Sequence, residues 1–258
     1  MPSTLIVGAT RGLGKELALY YADNLSHHVY ATSRSSDAPT GLSHGNITWL
    51  RNIDLSKSSC GQDLATSLHG KTIDNCIITA GYFATEDFGH ANWDDEVKMY
   101  TLSSVAPVFI VQELVKASTL VQGSKVILVS SESGSITLRH EQEGGGNFGH
   151  HGSKAALNMV AKQLSFDLKD RGIAVASVHP SFMRTEMTKS VGFDQFWEAG
   201  GALDPQDAAR ILADWIEKVF SLEQSGTYWA PRGTRDIGNW DVVMGKSTAQ
   251  EGPVQLPW

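Results

Sequence analysis

Three residues have the types and spacing needed for acid–base chemistry: Ser131, His150 and Lys154. His150 and Lys154 lie four apart at the start of a helical stretch, which puts them on one face. A serine hydroxyl can hold a reacting oxygen, and an imidazole with an ordinary pKa near about 6.5 can give or take its proton. The ammonium of Lys154 would push that imidazole toward its neutral form. Glu132, beside Ser131, is a second candidate acid, while His151 points elsewhere on the helix. Against these stands the reading in which His150 only fills space and Glu132 is a solvated carboxylate.

The elements that must position these groups begin at the N-terminus, where Leu5-Ile6-Val7 runs into Gly8-Ala9-Thr10-Arg11-Gly12-Leu13-Gly14 and an amphipathic stretch. This reads as strand, phosphate loop and helix. Gly8 permits the tight turn, Gly12 lets backbone amides approach a pyrophosphate, and Gly14 allows the helix to pack on the strand, with Thr10, Arg11 and Leu13 completing the loop. The spacing Gly8-x-x-x-Gly12-x-Gly14 is not the G-x-G-x-x-G of the larger dinucleotide-binding enzymes. After a second strand, His28 to Thr32, no acid stands where a ribose 2′-hydroxyl would be bound. Arg34 and Arg11 can instead converge on a 2′-phosphate, so the expected cofactor is NADP(H). Asp54-Leu55 follows a third strand where an adenine edge would lie, or Asp54 caps a helix from Ser56 to Leu68. Ala80-Gly81 ends the apolar run Ile73 to Thr79 with residues small enough to leave room for a cofactor.

Further on, Trp93 to Ser118 predicts one long helix interrupted by Pro107, Val126 to Val129 a strand opening at Ser131, and His150 to Arg171 a helix stopped by Gly172. Ala174 to Val178 is the next strand, followed by the loop Pro180 to Thr188. Strand and helix alternate, which gives a parallel sheet with right-handed crossovers, and ligands then bind beyond the carboxyl ends of the strands. A chain of 258 residues commonly forms one such domain. A net charge of −7 without a basic run excludes a nucleic-acid face. The two cysteines, Cys60 and Cys76, fit no metal spacing and read as reduced thiols. With no predicted signal peptide or membrane span, the expectation is a soluble, cytoplasmic protein without membrane partners.

Taken together, the glycine loop, Asp54, Ala80-Gly81, Ser131, Ser153-Lys154 and Pro180-x-x-x-Arg184-Thr185 resemble the short-chain dehydrogenase/reductases over nearly the whole chain. The ending Gln255-Leu256-Pro257-Trp258 and the long insert before His150 are similar to the branch of sniffer-type carbonyl reductases. The resemblance implies an α/β, single-domain Rossmann fold: a doubly wound, seven-stranded parallel sheet in the order 3-2-1-4-5-6-7 with helices on both faces. It implies a substrate lid at about 182–202 and a C-terminal extension at about 231–258. Ser131 would hold the substrate oxygen and Lys154 the nicotinamide ribose, with Pro180 and Thr185 over the carboxamide. The family's catalytic Tyr is replaced by His150, and its helix Asn by Ser103.

The apolar residues Met183, Met187, Phe193, Phe196 and Trp197 favour a bulky small-molecule substrate. An NADP(H)-dependent oxidoreductase of carbonyls, imines or activated alkenes, of the kind met in secondary metabolism, is the leading expectation. A non-redox cyclase, isomerase or lyase using His150 and Glu132, and a non-catalytic NADP(H) binder, stay open. The resemblance also implies a homodimer or homotetramer, unless the extra residues between Ser131 and His150 cover the pairing face and leave a monomer.

Overall fold

The computed structural model describes residues 1–258 except Ala38, Thr40 and Gly41. Its strands are β1 (Ser3–Val7), β2 (His28–Thr32), β3 (Ile47–Leu50), β4 (Asn75–Ile78), β5 (Lys125–Val129), β6 (Ala174–Val178), β7 (Tyr228–Ala230) and β8 (Val254–Gln255). They form one eight-stranded sheet in the order β3-β2-β1-β4-β5-β6-β7-β8. The first seven are parallel, as the alternation of elements predicts; the eighth, antiparallel to β7, corrects the expectation of seven. Two residues carry no periodicity, and β8 exists because the tail returns to pair Trp229 with Gln255 and Ala230 with Val254.

Central strands read as continuous apolar runs because both faces are covered. Leu5, Val7, Cys76, Ile78, Val126 and Leu128 face α2 (Cys60–Ser67), α4 (Ala106–Lys116) and α5 (Phe148–Lys169), introduced after α3 (Trp93–Tyr100). Ile6, Ile77, Ile127 and Val178 face α1 (Gly12–Asp23) and α7 (Pro205–Lys218), with the short α6 (Glu186–Ser190) lying between β6 and α7. A third apolar cluster joins Leu138, Tyr228, Ile237, Trp240 and Leu256, tying the insert before α5 to the C-terminal segment and its helix α8 (Trp240–Val243).

The long helix expected over Trp93 to Ser118 is three pieces: α3, a π-helical turn Thr101–Val105, and α4. Pro107 has no N–H to give the carbonyl four residues back, and the ladder widens just ahead of it. No helix among the described residues is long and apolar enough to cross a membrane.

Candidate active site

The phosphate loop follows β1. Gly8 (φ +95°) donates its N–H to Thr32 Oγ1 at 2.8 Å, and a Cβ there would stand 2.8 Å from the Ala80 backbone. At Gly14 a Cβ would meet the Gly8 carbonyl oxygen and, at 2.6 Å, Thr79 Oγ1. Gly12 differs: at φ +54° its Cβ would find nothing nearer than Thr185 Cγ2 at 3.6 Å, so its outer side is open. The first turn of α1 has neither a side-chain cap nor an acid, which leaves its amide hydrogens and positive dipole end free for an anion.

A single cavity of about 1310 Å³ runs from this loop along the carboxyl ends of the strands. Gly8, Thr10, Arg11, Gly12, Leu13, Gly14 and Arg34 line one end; Leu55, Ala80, Gly81, Pro180 and Thr185 line the middle; Ser131, Glu132, His150 and Lys154 follow. Asp54 is the exception. Its Oδ1 accepts from the Ser56 N–H (3.0 Å) and Oγ (2.8 Å), which holds the carboxyl below its usual range. Ile53 and Leu55 line the wall on either side of it. Asp54 thus forms a local turn with Ser56, and α2 starts at Cys60 rather than Ser56.

Lys154 is buried, and its Nζ donates to the Val129 carbonyl at 2.9 Å. Burial pushes its pKa down to about 8. The π-helical turn buries Ser103 Oγ without a partner, and a Cβ on Gly81 would lie 3.6 Å from it and 3.8 Å from Lys154 Nζ. Gly81 and Lys154 line the cavity, and Ser103 lies against them without lining it.

His150 sits in the first turn of α5, its ring 4.1 Å from Phe83 and its Nδ1 buried without a hydrogen-bond partner. Burial above all, then the charge of Lys154, pushes its pKa down to about 3. The imidazole is thus neutral at neutral pH. His150 can then donate a hydrogen bond, but carries no spare proton.

Glu132 is not a free acid. Its carboxylate is paired with Arg139 and accepts from Ser133 Oγ at 2.9 Å, and Arg139 also pairs with Glu143 at 2.9 Å. Arg139, Glu143 and Gly144 to Asn147 belong to the insert before α5, which lines the cavity, as does Phe148 at the start of α5. Phe83, Phe182, Met183, Met187, Phe193 and Phe196 add an apolar lining.

Two lining residues escape a reading of the sequence. His179, at the end of β6, accepts the Glu132 N–H on Nδ1 at 3.0 Å and faces Asp236 Oδ2 through Nε2 at 3.3 Å. Adjacency to Pro180 is a signal for His179; nothing in the sequence flags Asp236, which the chain brings back from far downstream. β7 and the tail also hold the turn after Ser131, through Tyr228 Oη on the Ser131 carbonyl and Ser135 Oγ on the Pro257 carbonyl at 2.8 Å.

Comparison with known proteins agrees with this architecture. A dehydrogenase from Rhodococcus sp. (strain AD45), 1-hydroxy-2-glutathionyl-2-methyl-3-butene dehydrogenase, is 25% identical over 236 residues, covering 91% of this chain and 98% of that protein. The carbonyl reductase Sniffer of D. melanogaster superposes with a TM-score of 0.75 at 23% identity, over 92% of this chain and 97% of that one. The NADPH-bound carbonyl reductase from chicken fatty liver gives 0.74 at 20% identity, over 89% and 91%. The short chain dehydrogenase family pattern matches residues 3–195, and with the glycine loop and the parallel sheet in place, the chain belongs to the short-chain dehydrogenase family of oxidoreductases.

Proposed function

We propose that the protein is an NADP(H)-dependent reductase of bulky, apolar carbonyl, imine or activated-alkene substrates. The observation that carries this reading is the continuity of one cavity from the open glycine loop, past Lys154 and Ser131, to an aromatic wall. Bound there, NADPH would supply a hydride. The free amides of α1 hold the pyrophosphate, Arg11 and Arg34 the 2′-phosphate, and the Lys154 ammonium the ribose hydroxyls. The side chain of Ser131 accepts from the Ser133 N–H at 3.3 Å, which leaves its own proton for a substrate heteroatom.

His150, neutral and packed against Phe83, donates an N–H to charge developing on the substrate. A neutral imidazole is a weak proton source, so the site favours acceptors that need little protonation, iminium ions and activated alkenes above plain ketones. Residues 182–202 act as a lid whose apolar side chains exclude water. A non-redox reaction is the second reading, favoured by His150 standing where the family has Tyr.

Incubation with NADPH and a panel of bulky ketones, enones and iminium compounds tests the proposal. Substrate-dependent loss of nicotinamide absorbance supports it. A product formed while the nicotinamide is unchanged, or failure to bind NADPH at all, overturns it.

A further inference from the structure

The segment 231–258 has no counterpart in the chemistry described so far, yet two of its side chains reach the cavity's loops. The Asp236 side chain is buried, and its Oδ2 faces two hydrogen-bond donors and one guanidinium. The Phe182 N–H lies at 2.5 Å, His179 Nε2 at 3.3 Å and Arg232 Nη1 at 3.8 Å. Arg232 also donates to the Gly201 carbonyl at 2.9 Å. Phe182 and Gly201 are the two ends of the 182–202 segment, already zipped together by Leu203 N to Phe182 O (2.9 Å) and Arg184 N to Leu203 O (2.9 Å). His179 in turn accepts the Glu132 N–H on Nδ1, which requires its proton to be on Nε2, facing Asp236. The carboxylate therefore sets the tautomer that receives the amide beside Ser131.

We propose that Asp236 is a positioning residue that clamps two cavity loops at once: the Ser131–Glu132 turn through His179, and the root of the 182–202 segment directly and with Arg232. The contribution to turnover rests on the reading of this cavity as the reaction site; the clamp itself does not. A buried carboxylate accepting N–H groups makes charge-assisted bonds, stronger than neutral ones. Motion of the apolar lid is then confined to residues between its pinned ends.

Residue-resolved amide hydrogen exchange decides the matter. Asp236→Ala removes both branches and should speed exchange of the Glu132 and Phe182 amides by about tenfold or more. Asp236→Asn keeps an acceptor oxygen for both N–H groups and should restore both amides to within about threefold of the parent. His179→Phe should free the Glu132 amide alone, leaving Phe182 protected, and carries the test by itself if Asp236→Ala does not fold. The clamp is refuted if His179→Phe leaves the Glu132 amide at the parental rate. It is equally refuted if a folded Asp236→Ala protein exchanges at parental rates at both sites, or faster throughout the sheet. An NADPH titration of the same variants separates this result from the functional reading, since the clamp can hold in a protein that fails to bind NADPH, and fail in one that binds it.

Discussion

At the scale of single residues, the site is set by what burial does to charge. Lys154 and His150 were legible as a pair, because a spacing of four on a helix places them together whatever surrounds them. Their protonation was not legible, since it depends on desolvation by strands and loops far apart in the chain. With Lys154 near about 8 and His150 near about 3, the ammonium exists below the first value and the imidazole is neutral above the second. A pH profile of kcat/KM should accordingly stay level through the ordinary histidine range and fall on the alkaline side as Lys154 loses its proton. A limb near about 6.5 that disappears in His150→Gln would contradict this. Removing the donor in His150→Ala should lower kcat about 10²-fold, the usual loss for one preorganised hydrogen bond, with the NADPH Kd unchanged. Arg34→Ala should weaken NADPH about tenfold or more and leave NADH as it was; equal losses for both would remove Arg34 from the 2′-phosphate.

At the scale of elements, strands and helices were readable wherever a period ran long enough, as in β1, β4, β5 and α5. The π-helical turn was not, because Pro107 announces an interruption without saying which way the ladder gives. The turn matters, since it is what buries Ser103 beside Lys154. The loop-to-helix joint makes a stability prediction: Gly14→Ala would drive a Cβ against the Gly8 carbonyl and Thr79, costing about 1–3 kcal/mol in urea unfolding. A loss below about 0.5 kcal/mol would mean that α1 can shift off β1 freely. At the start of α5, Glu86 accepts the Gly149 N–H while Glu96 lies against it, and burial followed by the charge of Glu86 raises the Glu96 pKa. A carboxyl raised in the fold contributes stability below its unfolded value and loses it as pH rises through the folded one. Glu96→Gln should therefore raise the melting temperature at neutral pH relative to the parent and do less in acid; the reverse order would show that the two carboxylates do not repel.

At the scale of the whole molecule, the fold class follows from alternating elements, whereas its closing features do not. The eighth strand, the third apolar cluster and the Asp236 clamp all depend on where the tail returns, which no local pattern encodes. The surface makes its own prediction. Trp93 is 80% exposed, and Val97, Val105 and Phe109 continue its face along α3 and α4, with Met159 and Phe166 exposed on α5. These exposed apolar side chains lie on neighbouring helices, and we expect a homodimer through this face. Light scattering should give twice the chain mass for the parent and the single mass for Trp93→Glu with Phe109→Glu; a monomeric parent would refute the pairing. The central claim, hydride transfer at a site where a neutral His150 donates a hydrogen bond, is tested most directly by the isotope. NADPH carrying deuterium at the transferring position should, at neutral pH, yield a reduced product one deuterium heavier at the carbon that accepted it. A product formed by the enzyme with no deuterium would contradict the account.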